Sequence, residues 1–238
     1  MLNLYISSPN RKDGKSFITA GLAATMQSLG YRTAVYKPFQ TGGIEIDGFM
    51  QSPDLTYIKS LDPYIETQFS YLYKGTGDPL SASEAENDPI DLDIIFKDAK
   101  KFAISSDCIL LDGEGGILSP IAQEIQNIDL INRLQVPILF VVKPDENSIN
   151  NIMLSIYAAE EHGATVNGVI INNIKDGENN KTLTTLIRVV EEYSDAKILG
   201  MVPNLGKKVE PEDLITGILN GVDIESVFGV KISKLEIN

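Results

Sequence analysis

Residues 2–30 read LNLYISSPNRKDGKSFITAGLAATMQSLG, and the three parts of this stretch call for three different backbones. Leu2, Leu4 and Ile6 alternate in a short apolar run that predicts a strand over 2–7. A polar loop closes on Gly14-Lys15-Ser16, and apolar positions then recur with helical spacing over 15–29. That order is the layout of a phosphate-binding loop, in which backbone N–H groups and the positive end of a helix dipole face phosphate oxygens. Gly14 lets the backbone come close, Lys15 reaches the β- and γ-phosphates, and Ser16 offers its hydroxyl to Mg²⁺. The first glycine of the usual G-x-x-x-x-G-K-[ST] pattern falls on Pro9, which has no N–H to give. The donors that remain run from Asp13 to Phe17, with Lys12 beside them as a further nucleotide contact. Asn10 stands where partition-type ATPases carry an extra lysine, which sets this loop apart from theirs.

Outward from this stretch, apolar runs and helix-length segments alternate. RTAVYKP (32–38), DCILLDG (107–113), VPILFVV (136–142), NGVIINN (167–173) and KILGMVP (197–203) predict further strands, with helices over 122–134, 148–162 and 180–193. Near-continuous apolar strands separated by helices predict a mostly parallel sheet covered on both faces. The fold expected is α/β, a doubly wound P-loop NTPase-like sheet in a single domain over 1–238. Residues 42–106 interrupt the alternation. Their Pro, Asp and Ser content predicts loops over the strand ends with one helix over 91–104. In open α/β sheets ligands bind at those carboxyl ends. The tail VFGVKISKLEIN (227–238) has weak strand character and suggests no function.

Composition narrows the class. The formal charge of −13 disfavours nucleic acid or an anionic membrane as partner. The single cysteine, Cys108, excludes an intramolecular disulfide and reads as a buried strand residue. The single histidine, His162, precedes Gly163 and reads as a helix end. No apolar run reaches the roughly 18 residues of a membrane span, and no basic leader opens the chain, so a cytoplasmic location is expected.

Further segments together resemble dethiobiotin synthetase. GYRTAVYKPFQTGG (30–43) is similar to that family's G-x-x-x-x-x-x-K-P-x-x-[ST]-G segment, and SPDL (52–55) to its acidic turn. DPLSASEAENDPI (78–90) follows S-P-H-x-A-A-x-x-E-x-x-x-I, and LLDGEGGILSPI (110–121) resembles V-E-G-A-G-G-x-x-x-P-I. NGVIINNI (167–174) and LGMVPNL (199–205) resemble its adenine-side segments.

The resemblance implies an ATP- and Mg²⁺-dependent ligase of biotin synthesis, acting as a homodimer. In that family 7,8-diaminopelargonate takes up CO₂ as a carbamate, ATP activates it as a carbamic-phosphoric anhydride, and the second amine closes the ureido ring. By the same resemblance Lys37 and Lys15 are catalytic, and Thr41 contacts the substrate nitrogen or carbamate. Ser16, Asp54 and Asp112 hold the metal, while Gly115 lies in a loop that presents N–H donors. Asn172 and Asn173 meet the adenine edge, Pro203, Asn204 and Leu205 form the other wall, and Glu210 lies on the nucleotide side.

Departures cluster on the substrate side. KPDENSINNI (143–152) replaces a glycine-rich L-G-x-I-N-H segment that binds the diamine's carboxylate tail in the neighbouring subunit, and Asp145 and Glu146 add negative charge. Asp112 is one methylene shorter than the usual glutamate. An alternative implied by the same motifs is a nucleotide-binding regulatory module, or a related ligase with a different acceptor.

Overall fold

A computed structural model describes residues 2–175, 181–206 and 209–231. In chain order the elements begin β1 (Leu2–Ser7), α1 (Lys15–Ser28), β2 (Thr33–Gln40), β3 (Ile44–Ile46), β4 (Phe49–Gln51), α2 (Pro53–Leu61) and β5 (Glu66–Leu72). They continue through α3 (Pro79–Glu86), α4 (Leu92–Ser105), β6 (Cys108–Asp112), β7 (Pro120–Ala122), β8 (Ile125–Gln126), α5 (Asn127–Leu134) and β9 (Ile138–Val142). The last are α6 (Ser148–Glu161), β10 (Val166–Ile174), α7 (Lys181–Tyr193), β11 (Ile198–Pro203), α8 (Pro211–Gly221) and α9 (Ile224–Phe228).

Seven strands form one sheet in the order β11-β10-β9-β1-β6-β2-β5. Every pairing within it is parallel, as the alternation of apolar runs and helices required. Each residue of β2, β6 and β9 is buried, which is why these strands read as unbroken apolar runs rather than as alternating ones. Two apolar layers fill the faces. One lies under α1, α2, α8 and α9 around Leu22, Ile58, Leu214 and Phe228. The other lies under α4 to α7 around Phe102, Ile131, Ile156 and Leu186. Helix α1 is buried from Ile18 to Met26, and full burial of Ile18, Leu22 and Met26 stabilises the fold by about 1.5–3 kcal/mol each.

Strand β1 lies between β6 and β9, where the chain's progress across the sheet reverses direction. The loop that follows β1 therefore opens into the crevice where such sheets bind ligands. Register sets Ile6 beside Asp112, so the end of β6 stands next to the start of that loop.

Three expectations need correction. Residues 42–106 are more than loops, because Glu66–Leu72 joins the main sheet as β5, in register from Ala34↔Glu66 to Gln40↔Leu72. Its ETQFSYL is half-buried and alternating, as an edge strand is, and lacks the continuous apolar run of its neighbours. The helix expected over 122–134 begins at Asn127 instead. Pro120 to Gln126 form the β7–β8 hairpin, and Asp129 caps the helix by accepting the Gln126 N–H at 2.7 Å. The tail's first residues lie in α9 and not in a strand, and 232–238 fall outside the described residues. His162 caps α6 and Cys108 is buried, its thiol pushed up to about 12 by burial and by Asp107.

Candidate active site

The loop after β1 is shaped by contacts from three strand ends. Gly14 has φ +88°, a conformation costly for any residue with a Cβ, and a Cβ there would lie 2.1 Å from Asn172 Nδ2. That amide instead donates to Asp13 O at 3.0 Å, tying the loop to the end of β10. Asn151 at α6 donates to Asn10 Oδ1 at 2.5 Å, a second tether. Asp13 is buried and its Oδ2 accepts from Asn10 N at 3.1 Å, whereas Oδ1 meets no donor within hydrogen-bond distance among the described residues. Burial, with Asp145 nearby, pushes its carboxyl up to about 6 against the opposing influence of the Asn10 hydrogen bonds and the Lys143 backbone. No side chain caps α1 and its first turn carries no acidic residue. The N–H groups at that end are therefore directed to the cleft and remain available to an anion.

Beneath the loop lies a buried charge cluster. Lys37, near the middle of β2, is wholly buried, with Nζ 2.7 Å from both Asp112 Oδ2 and Asp54 Oδ2 and 3.5 Å from Glu114 Oε2. Asp112 is equally buried at the end of β6. Its Oδ1 lies 3.2 Å from Lys15 Nζ and from the Thr19 hydroxyl, and its Oδ2 accepts from Ser16 at 3.3 Å. Burial opposes charge on both partners, and the pairing wins on both. Lys37 is held above the ordinary lysine range by Asp112, Asp54 and Glu114, and Asp112 is lowered to about 2 by Lys15 and Lys37. Asp54 enters from the first turn of α2, which Ser52 caps by accepting the Leu55 N–H at 3.1 Å.

The loop after β6 closes the other side. Asn127 Nδ2 donates to Glu114 O at 2.6 Å and to Gly116 O at 2.9 Å, and Asn127 Oδ1 accepts from Tyr5 at 3.1 Å. The Gly113 N–H is spent on Ile6 O and that of Gly116 on Ser119 Oγ. Donors toward the cleft are thus narrowed to Glu114 and Gly115. Thr41 Oγ1 stands 3.1 Å from Glu114 Oε1 and 3.3 Å from Gly77 O, which also accepts from Arg11 at 2.5 Å.

The space enclosed is a cleft of ≈ 620 Å³ lined by the loop from Ser8 to Phe17 and by Thr41, Asp54, Gly77 and Glu114 to Gly116. A smaller recess of ≈ 160 Å³ adjoins it on the far side of Lys12–Gly14, between Asn172, Asn173, Pro203, Asn204 and Leu205. Asn204 bridges its walls by donating to Asn173 Oδ1 at 2.6 Å. The structure therefore brings Lys12, Asp13, Gly14, Lys15, Ser16, Phe17, Thr41, Asp54 and Gly115 to one cleft, and the adenine-side residues other than Glu210 to the adjoining recess; Lys37 and Asp112 do not line the cleft but lie buried behind Lys15, Ser16, Asp54 and Glu114, which do. Glu210 is not among them: it is exposed at the N-terminus of α8 and lines neither space. Asp145, in the altered segment, pairs with Lys143 at 3.2 Å and accepts the N–H groups of Asn147 and Ser148 at the start of α6.

Thr19, Asn127 and the side chain of Glu114 were not singled out by sequence. Thr19 sits one helical turn beyond Lys15, on the face that meets β6, and that spacing was the available signal. Glu114 breaks the apolar position of the quoted V-E-G-A-G-G pattern. Nothing in the sequence around Asn127 marks its role, since its partners lie 11, 13 and 122 residues away.

A family model described as an AAA domain matches residues 3–212. The chain is 26% identical over 239 residues to the ATP-dependent dethiobiotin synthetase BioD of Clostridium acetobutylicum, covering 97% of this chain and 98% of that one. It is 27% identical over 213 residues to the protein of the same name from Bacillus subtilis strain 168, covering 86% and 88%. The resemblance read from the motifs is thereby borne out. Among solved structures, the MinC:MinD cell division protein complex of Aquifex aeolicus shares the fold, with TM-score 0.60, 18% identity and 98% of each chain covered.

Proposed function

The chain belongs to the AAA domain family that this match defines, and on that footing we propose that it is an ATP-dependent ligase of the dethiobiotin synthetase type. Its reaction is the carboxylation of 7,8-diaminopelargonate with CO₂ and closure of the ureido ring. The observation that carries the reading is Lys37, a fully buried ammonium held by two carboxylates behind the residues of a cleft that the phosphate loop lines. A reaction that joins an anionic carbamate to the γ-phosphate of ATP needs fixed positive charge where those groups meet. Lys15 and Lys37 flank that point, both tied to Asp112.

In this mechanism one amine adds to CO₂ and loses a proton, giving a carbamate. A carbamate oxygen attacks the γ-phosphorus and ADP leaves. The second amine then attacks the carbamoyl carbon, and phosphate departs with closure of the ring. Lys15 and the N–H groups at the start of α1 hold the β- and γ-phosphates, Lys37 offsets charge on the transferring group, and Thr41 orients the nitrogen or carbamate. The adenine takes the recess between Asn172, Asn173 and Pro203–Leu205.

The donor set fits Mg²⁺. Asp54, Asp112 and Glu114 outnumber Lys15 and Lys37 by one charge, and the Ser16 hydroxyl and carboxylate oxygens are the hard ligands this ion prefers. Ser16, Asp54 and Asp112 would hold it, and it would supply charge neutralisation at the phosphates. A homodimer and the treatment of residues 1–238 as one domain belong to the same proposal. The Asp145–Lys143 pairing favours a second reading, a ligase of this type with a different acceptor, because a carboxylate at the start of α6 already occupies its N–H groups.

Phosphate release from ATP with Mg²⁺ and bicarbonate, with and without 7,8-diaminopelargonate, tests the proposal. Release that depends on the diamine and disappears in Lys37→Ala is the expected result. ATP binding with no diamine-dependent release would leave a different acceptor or a regulatory module.

A further inference from the structure

The cations of the site have unequal surroundings. Lys37 is wholly buried among Asp112, Asp54 and Glu114. Lys15 lies 3.2 Å from Asp112 Oδ1, at the start of α1 where phosphate is held. Lys12 lines the adenine-side recess as well as the cleft. Arg11 is exposed, lines the cleft, and among the described residues has no carboxylate within ion-pair distance. Its Nη2 donates to Gly77 O at 2.5 Å, the carbonyl that also accepts from Thr41 Oγ1 at 3.3 Å, so guanidinium and hydroxyl stand side by side. Asp78 is the acid that feels Arg11, and its oxygens accept from the Ser81 N–H and hydroxyl. Those hydrogen bonds do most to lower its carboxyl, and Arg11 adds a lesser influence from a distance.

From this placement we infer that Arg11 is a further catalytic residue of the ligase, whose guanidinium receives the carboxylate of the newly carboxylated nitrogen beside Thr41 and holds it for attack on the γ-phosphate. The inference rests on the ligase reading and assigns the carbamate its counterion.

A carbamate spreads its charge over two coplanar oxygens, and a planar guanidinium matches that shape with paired N–H donors. Arg11 has such donors to give, because a guanidinium carries several and Gly77 O takes one. The other cations are committed. Lys37 is enclosed by carboxylates and does not line the cleft, so it acts on the site through space rather than by contact. Lys15 is needed at the β- and γ-phosphates, and Lys12 stands toward the recess. Arg11 is also carried by the loop that grips the triphosphate. Asn10 and Asp13, on either side of it, are tied to Asn151 and Asn172, so one anchored segment would present both reacting anions. In the step itself one carbamate oxygen forms the bond to the γ-phosphorus while the other stays on the guanidinium. The bond from that phosphorus to the bridging oxygen of ADP breaks, and its electron pair leaves with ADP. Arg11 keeps its proton throughout, as a group that stays charged at any working pH, and offsets the repulsion between the two anions.

The test assays the full chain with Mg²⁺ for phosphate release as bicarbonate, ATP and 7,8-diaminopelargonate are varied in turn, in wild type, Arg11→Gln and Arg11→Lys. Carbamate on the diamine is read in parallel by carbon NMR from isotope-labelled bicarbonate, with the chain loaded with a non-hydrolysable ATP analogue. Arg11 is exposed, so both variants are expected to melt as wild type does. Arg11→Gln is expected to raise the KM for bicarbonate by about tenfold or more, to remove the bound carbamate signal and to change analogue affinity by less than about twofold, with Arg11→Lys between it and wild type. A bicarbonate KM and carbamate signal equal to those of wild type overturn the role. So does a loss of analogue affinity as large as the rise in bicarbonate KM, which would make Arg11 a nucleotide contact. Either result leaves diamine-dependent phosphate release by wild type intact, whereas a wild type that shows neither that release nor the carbamate sinks the ligase reading and this inference with it, so the two failures are distinguishable.

Discussion

Lys37 Nζ and Asp112 Oδ2 stand 2.7 Å apart with neither side chain exposed to solvent, and each keeps the other charged. Removing one member strands the other. Lys37→Met is expected to cost about 3–5 kcal/mol, because the fully buried Asp112 then loses its ammonium while the half-buried Asp54 remains beside it. Urea denaturation measures this, and Lys37→Met combined with Asp112→Asn should recover part of the loss. A double variant no more stable than the single one would contradict the coupling. Phosphate release should be lost in both.

Asp13 gives the stability a pH dependence of known sign. Its carboxyl is raised from 3.8 to about 6, mainly by burial, so over that interval the folded chain binds a proton the unfolded chain has released. Its contribution is fully present below the lower value and is lost as pH rises through the upper one. At about pH 7.5 Asp13→Asn should therefore stabilise the chain by about 1–3 kcal/mol, and at about pH 4 by much less. Thermal melts at the two pH values decide the matter, and an identical shift at both would refute it.

A methyl group at position 14 is the smallest change expected to disable the loop. Gly14→Ala needs a left-handed backbone and drives its Cβ into Asn172 Nδ2, which must release Asp13 O. A stability loss of about 1–3 kcal/mol and weakening of ATP binding by about tenfold are expected, read by calorimetry and nucleotide titration. Retention of wild-type ATP affinity would show that the loop tolerates the displacement.

Asn127 touches no expected ligand position, yet Asn127→Ala should impair the reaction. It strands Glu114 O and the Tyr5 hydroxyl and leaves Gly116 O with the Ser119 N–H alone, at a cost of about 1–3 kcal/mol for each group left buried without a partner. The expected signature is a raised KM for the diamine with a nearly unchanged KM for ATP. The opposite split would place the clamp on the nucleotide side.

The phosphate loop was legible because local signals converge there: a strand, a Gly-Lys-Ser turn and a helix lie within 30 residues. The central strands were legible because burial on both faces leaves continuous apolar runs such as ILFVV. Strand β5 escaped notice because an edge strand is polar on alternate residues and, inside a Pro- and Asp-rich segment, reads as loop. Lys37 and Asp54 were found through motif resemblance, and their meeting at 2.7 Å depends on a crossover that sequence periodicity does not encode. Glu114 and Asn127 were missed for a related reason: their roles arise between the β6 loop, α5 and β1, which only the tertiary fold brings together.

The edge position of β5 would also tie the proposed activity to local opening. Among the described residues this strand pairs with β2 alone, and the connection between the two carries both Thr41 and Asp54. Edge segments detach at lower free energy than the centre of a sheet, and β1, the phosphate loop and β6 need not move when they do. In the proposed mechanism, molecules opened in this way would keep the phosphate loop in place while the connection that carries Asp54 loosens beside Lys37. Amide hydrogen exchange along Glu66–Leu72 therefore reports the fraction of the population ready for chemistry, a quantity that nucleotide affinity does not register.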